Sequence, residues 1–169
     1  MERRNSIFRE GKSLFADKWN AYLHFISLAA LLVMVGLAAY YWPVLPEQIP
    51  HHFGPSGEAD SWGGKYIIWL EPIMGAFFYA GLLLLRKNPQ WSNFPWKITE
   101  QNQEVQYALV VSMLHWLTAE CMLLFVYIQA VTIDVAFGNA AKMGMEIWWL
   151  VLVLLATIGY YTYYAYQRR

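Results

Sequence analysis

Four apolar runs, each long enough to cross a bilayer, constrain this chain more than any other feature of its sequence. They extend from about Ala21 to Trp42, Tyr66 to Leu85, Tyr107 to Ile128 and Ile147 to Tyr166. A hydrocarbon core of about 30 Å needs roughly 20 helical residues. In lipid the backbone must satisfy its own polar groups, which leaves helices or closed barrels, and these runs lack the alternation of barrel strands. The expected fold is therefore all-α: a polytopic membrane bundle of four transmembrane helices, one domain over residues 1–169. Net charge is zero, so nothing draws the chain electrostatically to a nucleic acid. The single cysteine, Cys121, excludes an internal disulfide and a cysteine-rich metal site.

Basic residues orient the bundle. Arg3, Arg4, Arg9, Lys12 and Lys18 precede the first run, Arg86, Lys87 and Lys97 lie between the second and third, and Arg168 and Arg169 end the chain. Only Lys65 and Lys142 remain for the other side. The positive-inside rule then places both termini and the middle loop in the cytoplasm, in a cell (inner) membrane, with residues 43–65 facing outward. The first run is long for a signal peptide and no small-residue cleavage site follows it, so it is expected to stay as a span. The lead, residues 1–19, reads as an interfacial amphipathic helix or a disordered basic segment.

The outer loop concentrates the chemistry. Pro43, Pro46, Pro50 and Pro55 restrict the backbone, and Gly54, Gly57, Gly63 and Gly64 relax it. A long loop so restrained is expected to be ordered against the helix ends. Asp60 or Ser61 suits the N-cap of the second helix. Lys65 would lie near that helix N-terminus, where the macrodipole disfavours a cation, so it calls for a carboxylate: Glu58 and Asp60 are nearest. Glu71 precedes Pro72 inside the second run. Pro72 removes the donor to the Ile68 carbonyl, and a kink is expected. An intramembrane acid is costly and marks a functional hypothesis. Gly75, Ala76, Ala80 and Gly81 offer close helix packing. Thr99 suits the N-cap of the third helix.

Three further polar residues lie within the runs. His24 shares a helical face with Asn20 and Ser27, which suits helix–helix hydrogen bonding. His115 and Glu120 are five residues apart, about 140° around a helix, so they face different neighbours or form no joint site.

The pattern Leu45-Pro46, Ile49-Pro50, His52-Phe53, Gly57, Asp60 and Lys65 resembles the signature of an uncharacterised bacterial membrane domain, shared with the N-terminal part of SdpI-type immunity proteins. The segment Phe94-Pro95-Trp96-Lys97-Ile98-Thr99-Glu100-Gln101-Asn102, with Tyr107, Trp116, Leu117 and Tyr127-Ile128-Gln129, is similar to its single-domain relatives. The resemblance implies no assigned activity. The longer SdpI-type proteins imply immunity to a secreted toxin and signalling, but they carry further spans that this chain lacks.

Several functions compete. The leading expectation is a non-enzymatic protein that binds an extracytoplasmic ligand, a small peptide or lipid headgroup, through the loop residues Pro46, Pro50, His52, Phe53, Gly57, Asp60 and Lys65 above Glu71. Membrane lipid and a second copy of the chain are the other expected partners. A metal-dependent membrane enzyme would use His52, Asp60 and Glu71 around a divalent ion; no established hydrolase or metal motif accompanies them. A proton- or cation-coupled transporter would use Glu71, His115 and Glu120. A haem-binding electron-transfer bundle would use His24 and His115 as axial ligands.

Overall fold

The computed structural model describes residues 18–169, so the expectation for the basic lead falls almost wholly outside the described residues. Four helices are long and apolar enough to cross a membrane: α1 (Lys18–Tyr41), α2 (Leu70–Lys87, entered through a 3₁₀ turn Lys65–Trp69), α3 (Gln103–Ala136) and α4 (Glu146–Tyr166). The architecture is not purely helical. Residues 43–65 contain an antiparallel hairpin of β1 (Gln48–Phe53) and β2 (Ala59–Gly64). Asp60 and Ser61 are strand residues, not helix caps.

α3 is the spine; α1, α2, α4 and β1 all pack on it. It continues to Ala136, eight residues beyond its expected end at Ile128, because the polar Gln129 that interrupts the apolar run is itself buried and bonded. Thr99 does not cap this helix. Asn102 holds the cap position, and its Oδ1 accepts the Thr99 N–H at 2.8 Å.

Pro72 does not interrupt α2, which runs from Leu70 to Lys87. It is the third residue of the helix, in the first turn, where proline is tolerated. The irregularity falls just before it, at the junction of the 3₁₀ turn and α2. The carbonyl of Ile68, deprived of a donor by Pro72, accepts Nε2 of Gln129 at 3.1 Å. The same amide nitrogen donates to the Met34 carbonyl at 3.1 Å, so one buried side chain joins α1, α3 and the entry to α2. Gln106 repeats the device near the other end of α3, donating to the Ala165 and Arg168 carbonyls at 2.9 and 3.0 Å. It thereby adds a donor to the Ala165 carbonyl, which also accepts the Arg168 N–H at 3.1 Å, and supplies one to the Arg168 carbonyl beyond the end of α4.

Two apolar clusters fill the bundle. Ala30, Met34, Tyr79 and Met122 form the middle one. A Cβ on Gly75 would lie 2.8 Å from Met34 Cε, so Gly75 does permit a close approach. Ala76, Ala80 and Gly81 do not; they are exposed on the opposite side of α2. The second cluster, Ala38, Leu45, Ile49, Ile68 and Ile133, seats the hairpin on the ends of α1 and α3.

Candidate functional site

The hairpin is built by its turn. Gly57 N–H donates to the Gly54 carbonyl at 2.8 Å and Gly54 N–H to the Glu58 carbonyl at 2.9 Å. Pro55 supplies the φ favoured at the second turn position, and Gly57 takes the left-handed conformation that ends such a turn, φ +85°. A side chain at Gly57 would also collide with the carbonyl of Met143. That approach is used: Met143 N–H donates to the Gly57 carbonyl at 2.7 Å. It clamps the hairpin tip to the segment leading into α4.

Between tip and α4 lies a cleft of about 380 Å³, bordered by His52, Phe53, Gly57, Met143, Met145 and Trp148 among others. At its mouth, His52 Nδ1 and Asp60 Oδ1 are 2.6 Å apart, and both side chains are more than half exposed, 65% and 52%. His51 is not idle, since its Nε2 lies 3.1 Å from Ser61 Oγ.

The structure assigns Lys65 a different partner from the expected Asp60 or Glu58. Its Nζ donates to Glu47 Oε1 at 3.0 Å, and its ammonium stands 5.5 Å from the Trp42 ring centroid. The register explains the choice. Gln48 opposes Gly64, so the flanking residues Glu47 and Lys65 meet at the open end of the hairpin. The dipole conflict also disappears, because Lys65 opens a 3₁₀ turn and α2 begins five residues later. Leu45 and Ile49 are buried plugs, Pro50 is fully enclosed beside them, and Pro46 is exposed.

Glu71 sits in the first turn of α2 with its Oε2 buried and without a hydrogen-bond partner among the described residues. It does not join His52 and Asp60: among the described residues no three His, Cys, Asp or Glu side chains form a set able to hold a metal ion. The metal site expected from His52, Asp60 and Glu71 is thus not assembled. The hairpin is seated on the ends of α1 and α3, and its tip is clamped to the segment leading into α4.

The second concentration of polar groups lies in the half of the bundle away from the hairpin. Tyr79 Oη is 2.9 Å from His24 Nδ1. The Arg86 guanidinium stands 5.6 Å from the Tyr79 ring centroid and its Nη1 donates to His115 Nδ1 at 2.8 Å. Arg86 is only 7% exposed. The sequence reading counts it as a loop charge, but α2 carries it to its penultimate position and turns it inward. The i, i+7 spacing of Tyr79 and Arg86 on one helical face was the available signal. His24 and His115 therefore belong to one polar string, His24 bonded to Tyr79 and His115 to Arg86, with the guanidinium facing the Tyr79 ring between them. His115 and Glu120 do face different neighbours: Glu120 Oε1 accepts Thr157 Oγ1 of α4 at 2.6 Å.

Comparison with known families speaks to the hairpin. Residues 29–76 match the family model of a domain of unknown function, DUF1648. The matched DUF1648 segment runs from the middle of α1 through the hairpin to the start of α2. It contains the loop residues of the resemblance and both anchors of the hairpin, the Leu45–Ile49 plug and the Glu47–Lys65 pair. Neither curated proteins nor solved structures give a match to the chain.

Proposed function

We propose that this integral membrane protein is a non-enzymatic binding protein. In this reading its hairpin end lies on the extracytoplasmic face of the cell (inner) membrane and recognises a small peptide or lipid headgroup, in sensing or in immunity to a membrane-active toxin. The supporting observation is the cleft between the hairpin tip and α4, with an apolar floor and the exposed His52–Asp60 pair at its mouth. Such a cleft combines adaptable contacts from Met143 and Met145 with one oriented polar pair, the usual division of labour in a ligand pocket. The side assignment rests on the distribution of basic residues.

Two measurements test it. Ser56→Cys at the hairpin tip should react with a membrane-impermeant maleimide in intact cells; labelling only after lysis would refute the orientation. Native mass spectrometry of detergent-purified protein should reveal a co-purifying ligand that is lost in an Asp60→Asn, Trp148→Ala variant. A ligand retained equally by that variant would move the site elsewhere.

A further inference from the structure

A cavity of about 550 Å³ lies between α1, α3 and α4, in the half of the bundle away from the hairpin. Its size falls in the range of small-molecule sites. Four aromatic residues line it, Trp19, Trp116, Tyr160 and Tyr161, together with Thr157 and the carboxylate of Glu120. Among the described residues, no lysine or arginine lines it.

The chemistry of the lining selects the occupant. Glu120 Oε1 is held by Thr157 Oγ1, which fixes the carboxylate, but Oε2 is buried with no hydrogen-bond partner among the described residues. Glu120 is half-buried, and a carboxylate oxygen enclosed without a partner is stabilised by a cation beside it or else by taking up a proton. Arg86, a buried cation, bonds His115 and faces the Tyr79 ring, and it does not line the cavity. An anion would be repelled, and a neutral guest would leave Oε2 unanswered. A bare metal ion prefers several charged or imidazole ligands, and Glu120 is the only carboxylate here, beside the neutral Asn20, Ser112 and Thr157, with no group of three His, Cys, Asp or Glu among the described residues. An organic ammonium satisfies every element: its charge meets the carboxylate and its alkyl or aryl groups meet ring faces that attract cations.

We propose that this cavity binds an organic ammonium cation, with Glu120 as its counter-ion and the four aromatic side chains as its cage. The ammonium can belong to a lipid headgroup, such as that of phosphatidylethanolamine, or to a free amphiphilic amine. Trp19 and Trp116, two of the nine tryptophans of the chain, line the cavity, so occupancy changes part of the tryptophan emission.

The probe is benzyltrimethylammonium, titrated against the full-length protein in nanodiscs of phosphatidylglycerol while tryptophan fluorescence is followed. Saturable quenching is expected, about tenfold weaker in Glu120→Gln and about threefold weaker in Tyr160→Leu, with thermal unfolding of both variants checked in the same nanodiscs. Neopentylbenzene, the uncharged isostere, should not compete. If adding phosphatidylethanolamine to the nanodisc weakens probe binding, the site takes a lipid headgroup; if it does not, the site takes a free amine. Absence of saturable quenching, equal affinity in a folded Glu120→Gln protein, or equal competition by neopentylbenzene would each overturn the assignment.

Discussion

Replacing Gln129 by Leu isolates the contact that joins three helices. Leucine keeps most of the volume but removes the amide that bridges the Ile68 and Met34 carbonyls. The Met34 carbonyl lies inside α1 and retains a helical donor, so its loss is small. The Ile68 carbonyl has no such reserve, because the residue four positions on is Pro72. Leaving a buried acceptor unmet costs about 1–3 kcal/mol, and interhelical hydrogen bonds in membranes average about 0.6 with an upper bound near ~1.7 kcal/mol. The expected destabilisation is therefore about 1–2 kcal/mol, read by unfolding in mixed detergent micelles. A second substitution supplies the control. Pro72→Ala returns an N–H to the position that normally serves the Ile68 carbonyl, so in that background Gln129→Leu should cost about half as much or less. Equal cost in both backgrounds would show that the Gln129 amide does not substitute for the donor that Pro72 lacks.

Three other outcomes follow from the hairpin and the packing of α2. Gly57→Ala should lower stability by about 1–3 kcal/mol, because it strains a left-handed residue and pushes the Met143 segment away; the assay is thermal unfolding, with Gly54→Ala as the milder comparison. Gly75→Val should destabilise by about 1–3 kcal/mol through overpacking against Met34 and Met122, whereas Gly81→Ala, with open space around it, should be neutral or stabilising by up to about 1 kcal/mol in the same assay. Asp60→Asn should leave stability within about 1 kcal/mol, since its pair with His52 is exposed, while Lys65→Ala should cost more than Glu47→Ala because it also gives up the Trp42 ring; chemical denaturation of the three variants side by side decides the order.

The spans were legible because hydrophobic length is a property of the local sequence. The hairpin was not, for a definite reason. Gln48-Ile49-Pro50-His51-His52-Phe53 has a proline in mid-strand and no clean alternation, and the register is irregular around His52, so the strand signal is erased where the bulges lie. Its turn, Gly54-Pro55-Ser56-Gly57, was readable as punctuation but not as the pivot of two paired strands. The Lys65 partner failed for the same cause: sequence distance favours Asp60 and Glu58, while antiparallel pairing brings back Glu47 from 18 residues away. His24 and Tyr79 meet across 55 residues, a contact that depends on how α1 and α2 pack and leaves no mark in either segment alone. The pattern of DUF1648 residues was recognisable, yet the structure divides them into plugs, a turn and an exposed pair, which a pattern does not do.

The two glutamines of α3 act as bolts at its ends. Gln129 fastens it to α1 and the entry to α2, and Gln106 to the end of α4. Sliding α3 by one turn, about 5.4 Å, would break all four hydrogen bonds at once. A piston stroke of the central helix would therefore have to break both bolts together. α4 is fastened by Gln106 at its far end and by the Met143–Gly57 clamp beside its start, and it rests chiefly on α3. Thr157 also ties the middle of α4 to Glu120 of α3, so a swing of α4 about the Gln106 bolt would have to break that bond beside the cavity as well as the clamp.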